Sequence, residues 1–219
     1  MTNFAAAREN MVESQVRPNG ITDRRIIDAM AEIAREDFVP ADRRAVAYMD
    51  EDVLLTKDGG PRYLVEAMAF ARLVHLAAIK GTDRILHVGA ATGYGSAVLA
   101  RLGASVVALE SDRFLALTAR ANLRGVANVT VVEGDLADGA KSAGPFDVVV
   151  IEGRVGEVPQ SLIAQVAEGG RIVAVVGQAD VAKAHLYTIH GKTCAFRTAF
   201  DASIATLPGF NKKLAAFVF

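Results

Sequence analysis

A glycine-rich turn and the acid that follows it are the residues of this sequence best suited to chemistry. The turn comes after an apolar run that ends at Val88, and it contains Gly89, Gly93 and Gly95. Glycines let a backbone approach a ligand closely, and the start of the following helix offers unpaired N–H groups. Glu110 ends the next apolar run about 20 residues later, where a carboxylate can accept hydrogen bonds from both hydroxyls of a ribose. This spacing predicts a site for a nucleoside-bearing cofactor.

The turn does not match the common phosphate-binding motifs. A dinucleotide fingerprint requires G-x-G-x-x-G, but Ala91 stands at the third position here. A P-loop ends in Gly-Lys-Ser/Thr, and this chain has that triplet only at 191–193, without the earlier glycine. The turn instead resembles the first motif of S-adenosylmethionine (SAM) methyltransferases, whose glycines pack against the methionine part of the ligand. A plain strand-to-helix turn of an α/β domain is the alternative.

Composition limits the class of protein. A chain of 219 residues can hold one large domain, and a net charge of −1 does not indicate a nucleic-acid partner. Cys194 is the single cysteine, so no internal disulfide can form, which fits a reducing compartment. The four histidines and this cysteine are not spaced as metal ligands, so we predict no metal site. No apolar run approaches about 18 residues, and the start, MTNFAAAREN, lacks a signal pattern. We expect a cytoplasmic protein without a membrane partner, and the oligomeric state is left open.

The first part of the chain is predicted to be a helical segment, residues 1–80, packed on the rest. Helical spacing of apolar residues supports this prediction. The expected elements are a helix over 3–17, a second helix capped by Thr22 or Asp23, a connection over 41–62 with a short helix and an extended stretch near 53–55, and a strong helix over 63–79.

From residue 83 onward strand and helix patterns alternate. The predicted strands are 85–88, 105–110, 129–132, 146–151 and 171–176, with helices over 94–102, 112–124 and 159–166. Such alternation predicts an α/β fold with a doubly wound, mostly parallel, Rossmann-like sheet over residues 81–219, in which the apolar run 146–151 is central. The stretches 185–190, 194–203 and 214–219 alternate without helices between them, so we expect an antiparallel C-terminal edge. The two parts should form one compact unit.

Ligands of such sheets bind beyond the carboxyl ends of the strands, which places the glycine turn, Glu110, Asp135 and Glu152 along one rim. Asp135 suits an adenine amino group, or else caps a turn. Glu152 either accepts from a substrate amine or pairs with Arg154. His87 lies inside an apolar strand, where a satisfied core histidine and a catalytic one are both open.

Segments spread from Met11 to about Gly177 carry a resemblance when they are taken together. They read MVESQVRPNGITDRRIIDAM, REDFVP, AYMDED, RYLVEAMAFARLV, ILHVGAATGYGSAVLARLG, VVALESDRFLALTARANL, VVEGDLADG and PFDVVVIEGRVGEVPQSLIAQVAEGGRIVAVVG. This combination resembles the protein-L-isoaspartate (D-aspartate) O-methyltransferase family. The resemblance implies a SAM methyltransferase fold and transfer of the SAM methyl group to a side-chain carboxylate in protein repair, with S-adenosylhomocysteine as product. The partner would be a protein or peptide with an isoaspartyl carboxylate, or an unknown acceptor.

The resemblance also implies roles for individual residues. Glu110 would hold the ribose, Gly89 and Gly93 would line the methionine end, and Asp135 with Leu136 would meet the adenine. The full set of cofactor-binding residues expected in this way is Gly89, Ala90, Ala91, Gly93, Glu110, Ser111, Asp135, Leu136 and Glu152.

The chain departs from the family pattern at several of these positions. Gly60 stands where the family has an acceptor-site serine, His87 where an acid precedes the turn, and Ala91 where the turn has its central glycine. After the central strand, Glu152 and Arg154 replace small neutral residues. These departures leave two further functions open: a SAM methyltransferase with another acceptor, and a non-catalytic protein that binds SAM or a partner.

The acceptor site is where the missing serine has a chemical consequence. A carboxylate acceptor is already ionised at pH 7, so methyl transfer depends on alignment more than on a strong base. We hypothesise that Arg62, next to Tyr63 in the segment expected to face the active site, holds the acceptor carboxylate bidentately. A solvated arginine at a helix start is the alternative. Arg62 and the Gly60 position are therefore the predicted catalytic residues.

Overall fold

A computed structural model describes residues 3–56, 60–178, 181–191 and 193–210 of the chain. Within these ranges the α-helices are α1 (Phe4–Met11), α2 (Arg24–Glu32), α3 (Ala67–Ala77), α4 (Tyr94–Ala100), α5 (Arg113–Asn122) and α6 (Gln160–Ile163). The strands are β1 (Val53–Thr56), β2 (Arg62–Leu64), β3 (Arg84–Val88), β4 (Ser105–Glu110), β5 (Val129–Glu133), β6 (Phe146–Val155), β7 (Val166–Gln178), β8 (Val181–His190) and β9 (Thr193–Asp201).

Seven of these strands form the main sheet, in the order β5-β4-β3-β6-β7-β8-β9. The strands from β5 to β7 pair in parallel, and β8 and β9 add an antiparallel edge. The predicted doubly wound, mostly parallel sheet is therefore confirmed, with the apolar run 146–151 in its central strand β6. The predicted strand over 214–219 lies outside the described residues.

The core lies on both faces of this sheet because successive side chains of a strand point in opposite directions. Ile85 and Val148 face the cluster that also contains Phe70 and Met30 of the N-terminal helices. Leu86 and Val149 belong to the cluster on the other face, which also contains Leu109, Leu136, Leu162, Ile172, Leu207 and Phe210. No helix in the described ranges is long and apolar enough to cross a bilayer.

The helix expected to begin at Tyr63 begins four residues later, at Ala67, and this prediction was wrong at its start. Arg62–Leu64 instead forms β2, which pairs antiparallel with β1 in a separate two-stranded sheet. The Asp52 side chain accepts the Glu66 N–H at 2.9 Å just before the helix. Pairing with β1, the strand just before it in the chain, therefore overrides the helical spacing and leaves Arg62 in extended backbone.

Candidate active site

The glycine turn closes tightly over the end of β4. The N–H groups of Gly89 and Ala90 both donate to the Leu109 carbonyl at 3.0 Å. Gly89 and Gly93 have φ values of 82° and 99°, in the left-handed region that favours glycine. Ala91 shares that region with a φ of 48°, at a position where a Cβ is strained. The turn and the end of β4 are thus in contact, as the spacing of the motif predicts.

Glu110 lies under this turn and is fully buried. Its Oε2 accepts the Ala91 N–H at 2.7 Å, and its Oε1 accepts the N–H groups of Ser111 and Asp112 at 2.8 and 2.9 Å. These three bonds fix the carboxylate at the carboxyl rim of the sheet. The neighbouring acid Asp112 caps α5 by accepting the Leu115 N–H at 2.9 Å.

Arg62 is the fourth partner of Glu110, and the sequence did not indicate it. Its Nη1 donates to Oε1 at 2.5 Å and its Nη2 to Oε2 at 2.7 Å, which is the bidentate geometry in which arginine binds a carboxylate. The side chains of Arg62 and Glu110 are only 7% and 0% exposed. The guanidinium that we expected to hold the acceptor carboxylate therefore holds Glu110.

The two oxygens of Glu110 are fully used by these contacts. A carboxylate offers about four acceptor positions, whereas five N–H groups lie within 2.9 Å of its oxygens. No position is left for ribose hydroxyls while Arg62 stays in place. Glu110, the expected ribose ligand, thus lies at the rim and is paired with Arg62 of the protein itself, and its contact with a ribose stays a prediction.

A segment near the C-terminus crosses the same rim beside β6. Arg154 donates its N–H to the Ala205 carbonyl, and Leu207 donates its N–H to the Arg154 carbonyl, both at 2.8 Å. The Leu207 side chain fills the space above two glycines. A Cβ built on Gly89 would lie 2.9 Å from its Cδ2, and one built on Gly153 would lie 2.5 Å from its Cγ. Gly89 therefore accommodates Leu207 where the resemblance implies the methionine end of SAM.

Little space remains between these groups. The cavity bounded by Arg62, Glu152, Gly153 and Leu207 has a volume of about 10 Å³, about the minimum that holds one water molecule. Pockets for small organic ligands have volumes of about 300 Å³ or more. This cavity, which Glu110 and Gly89 do not line, is too small for a ribose or the methionine part of SAM.

The residues expected at the adenine stand apart from this closed region. Asp135 is exposed, and its side chain accepts the Ala137 N–H at 2.8 Å, as in a capped turn. Leu136 is 1% exposed and belongs to the core cluster below the rim. Their contact with an adenine stays a prediction.

Glu152 pairs with His87, a partner that the sequence analysis did not consider. Its Oε2 lies 2.8 Å from His87 Nε2, although the angle is not that of a well-aligned hydrogen bond. On the other side of the ring, Nδ1 lies 2.8 Å from Ser96 Oγ. All three side chains are buried, and a Cβ on Gly95 would lie 2.1 Å from Glu152 Oε2. Ser96, His87 and Glu152 follow one another as in a serine–histidine–acid triad, but their burial makes them inaccessible to a substrate.

A signal for this pair was present in the sequence. The resemblance indicated two departures here, His87 where the family has an acid and Glu152 where it has a small neutral residue. The two residues lie on β3 and β6, which are paired in the sheet. His87 is a core histidine whose Nδ1 contacts Ser96, while its Nε2 faces Glu152 without a well-aligned hydrogen bond.

Arg35 connects the segment that carries Arg62 to the helix after the glycine turn. It is fully buried, donating from Nε to the Ala47 carbonyl and from Nη2 to the Val65 carbonyl, each at 2.7 Å. Its guanidinium lies 5.0 Å from the centre of the Tyr94 ring. Burial lowers the pKa of Arg35 and raises the pKa of Tyr94 to about 12. No motif indicated this buried cation.

Gly60, the position of the family serine, lies at the exposed end of the same segment. It has a φ of 106°, and no atom lies within 4 Å of a Cβ built there. Residues 57–59 are outside the described part of the chain, so the role of Gly60 stays a prediction. No group of three His, Cys, Asp or Glu side chains in the described residues is arranged to hold a metal ion.

Comparisons with known proteins agree with the resemblance. A family model described as protein-L-isoaspartate(D-aspartate) O-methyltransferase matches residues 6–198. The protein-L-isoaspartate O-methyltransferase of Koribacter versatilis is 38% identical over 185 residues, which cover 83% of this chain and 81% of that protein. The enzyme of the same name from Methanoculleus marisnigri is 39% identical over 172 residues, covering 78% of this chain and 77% of its own.

Solved structures show the same fold. One named protein-L-isoaspartate O-methyltransferase matches with a TM-score of 0.82 and 26% identity, over 92% of this chain and 66% of that one. A Plasmodium falciparum protein described as a putative member, in complex with S-adenosyl-L-homocysteine, matches with a TM-score of 0.73 and 19% identity, over 94% and 99% of the two chains. The chain belongs to the protein-L-isoaspartate (D-aspartate) O-methyltransferase family, whose members depend on SAM.

Proposed function

We propose that this chain is a SAM-dependent methyltransferase that esterifies the carboxylate of isoaspartyl residues in proteins or peptides. The observation that carries the proposal is the family match over residues 6–198, which includes the glycine turn, Glu110 and the segment around Arg62. SAM supplies a methyl group that is already activated on a sulfonium. The acceptor is ionised at neutral pH, so the task of the protein is to bind and align the two.

The closed rim does not fit SAM. Glu110 has no free acceptor position, and Leu207 lies against Gly89. Binding at these residues requires Arg62 to leave Glu110 and the Leu207 segment to move. A released Arg62 would again have a free guanidinium for an acceptor carboxylate, which keeps its proposed role in alignment compatible with the structure.

A second candidate, a non-catalytic member that binds a protein partner, is supported by the same closed rim. The side chains of Arg62 and Leu207 stabilise the site without any ligand, and Gly60 offers no hydroxyl to an acceptor.

We also propose a cytoplasmic location from the lone Cys194, and a peptide rather than nucleic acid as partner from the net charge of −1.

A methyl-transfer assay separates the candidates. The full chain is incubated with methyl-labelled SAM and either an isoaspartyl peptide or the same peptide with ordinary aspartate. The proposal expects base-labile label on the isoaspartyl peptide alone. Label on proteins of a cell extract but not on the peptide would show that the protein methylates an acceptor other than an isoaspartyl residue. No label in either sample, at SAM concentrations where calorimetry detects binding, would favour the non-catalytic candidate.

A further inference from the structure

We infer that the protein closes its own cofactor site: Arg62 takes the hydrogen-bonding positions of the ribose at Glu110, and Leu207 covers Gly89. SAM then binds only when both side chains are displaced. This inference rests on the proposed function, since that function supplies the ligand with which Arg62 competes. It makes the closed form a resting state of the enzyme.

Arg62 is well matched to this task. Its planar fork presents two parallel N–H donors to Glu110, at 2.5 and 2.7 Å, much as two neighbouring hydroxyls of a ribose would. The remaining contacts of the carboxylate, from Ala91, Ser111 and Asp112, are backbone N–H groups that stay in place if Arg62 leaves. Exchange of Arg62 for a ribose therefore leaves the rest of the site intact.

The segment that carries Arg62 lies outside the main sheet, although Leu64 is buried and Arg35 binds the Val65 carbonyl. Among the described strands, β2 pairs with β1 alone, and the two-stranded sheet that they form is separate from the main sheet. A two-stranded sheet is marginally stable on its own. Withdrawal of the Arg62 side chain therefore breaks no bond of the main sheet, whereas movement of the Leu207 backbone would break its bond to Arg154 of β6.

Asp52 connects the two closing groups. Its Oδ1 accepts the Glu66 N–H, two residues after β2, and its Oδ2 accepts the Ala205 N–H, two residues before Leu207, each at 2.9 Å. One carboxylate thus holds both the Arg62 segment and the Leu207 segment at the rim. Their displacement is coupled for this reason, and loss of either closing side chain should make the site more accessible.

The consequence is a reduced apparent affinity. A ligand that binds only the open form has its dissociation constant raised by the inverse of the open fraction. If fewer than about one molecule in ten is open, removal of a closing side chain tightens binding about tenfold or more.

The test is calorimetric titration of S-adenosylhomocysteine into wild type, Arg62→Met, Leu207→Ala and a matched control, Arg101→Met. Arg101 also pairs with a glutamate, Glu32 at 2.9 Å, but this pair is exposed and far along α4 from the turn. We expect at least about tenfold tighter binding in Arg62→Met and a gain in the same direction in Leu207→Ala, with Arg101→Met equal to wild type. Circular dichroism checks that each variant is folded. If Arg62→Met does not fold, Arg62→Lys and Leu207→Ala decide, because lysine keeps the charge but cannot form the fork.

Equal dissociation constants in all folded proteins would overturn the closure. Absence of binding in every protein would overturn it too, because Arg62 would then not be what excludes the ligand. The methylation assay keeps the two proposals apart. Equal tight binding in all proteins, with isoaspartyl methylation, contradicts the closure alone. Tighter binding in Arg62→Met, with no methylation by wild type at SAM concentrations that saturate it, supports the closure and contradicts the proposed function.

Discussion

Two buried carboxylates lie at the same rim of the sheet, and their partners differ in origin. Glu110 ends β4 and is held by Arg62, which comes from a small sheet outside the main one. Glu152 lies near the end of β6 and contacts His87 of β3, the strand paired with β6. The first contact can open while the main sheet stays intact, whereas the second is enclosed beneath α4. The comparison separates a contact that a ligand can replace from one that only stabilises the fold.

The largest effect is expected for Glu110→Ala. The substitution leaves a buried guanidinium and three N–H groups without their acceptor, and breaking a buried pair from one side costs about 3–5 kcal/mol. Urea denaturation should show this loss of unfolding free energy. The control is Glu32→Ala, whose exposed pair with Arg101 should account for less than about 1 kcal/mol. A similar small loss in both variants would contradict the buried pair.

The corresponding substitution at the second carboxylate, Glu152, is His87→Leu, which removes its neighbour. It leaves Glu152 buried without its neighbour and removes the partner of Ser96, at a cost of about 2–3 kcal/mol. Adding Glu152→Leu should recover much of the loss, since an apolar pair needs no partner. Neither variant should gain affinity for S-adenosylhomocysteine. A gain like that expected for Arg62→Met would contradict the inference that a ligand replaces a contact of Glu110 but not one of Glu152.

Gly95→Ala tests how tightly the enclosed cluster is packed. Its Cβ would lie 2.1 Å from Glu152 Oε2 and 2.8 Å from His87 Cε1, and overpacking of this kind costs about 1–3 kcal/mol. The control is Gly125→Ala, where no atom lies within 4 Å of the added Cβ. Thermal denaturation should show a lower melting temperature for Gly95→Ala alone. Equal melting temperatures in the two variants would mean that the cluster accommodates the added methyl group.

The smallest effect is a pH dependence of the unfolding free energy, and it comes from Glu66, which follows the strand that carries Arg62. Burial and the neighbouring acids Asp52 and Asp50 raise the pKa of Glu66 to about 6. Because the folded-state pKa lies above the unfolded one, the contribution of this group is present below about pH 4.5 and is lost as the pH rises through about 6. Glu66→Gln should therefore stabilise the protein at pH 7.5, by less than about 1 kcal/mol because the side chain is partly solvated. The gain should vanish near pH 4.5, and an equal gain at both values would contradict the shift.

Local patterns account for what the sequence predicted well. The glycine turn and Glu110 follow adjacent parallel strands, and the carboxyl ends of such strands must meet at one edge. The cap of α2 was expected at Thr22 or Asp23, and Asp23 is the cap. Arg62 was singled out for its chemistry, but its contact with Glu110 was not predicted, because the helical spacing over 63–79 concealed the strand β2, which pairs with β1.

The sequence by itself therefore determined the parallel sheet, its antiparallel edge and the position of the glycine turn beside a carboxylate, because each depends on short-range periodicity and on the direction of consecutive strands. Only the tertiary structure decided what this carboxylate binds. Arg62 and Leu207 reach the rim through contacts between segments distant in the chain, and Asp52 joins the two by hydrogen bonds to Glu66 and Ala205. Such contacts depend on how separate segments pack, which no local pattern records.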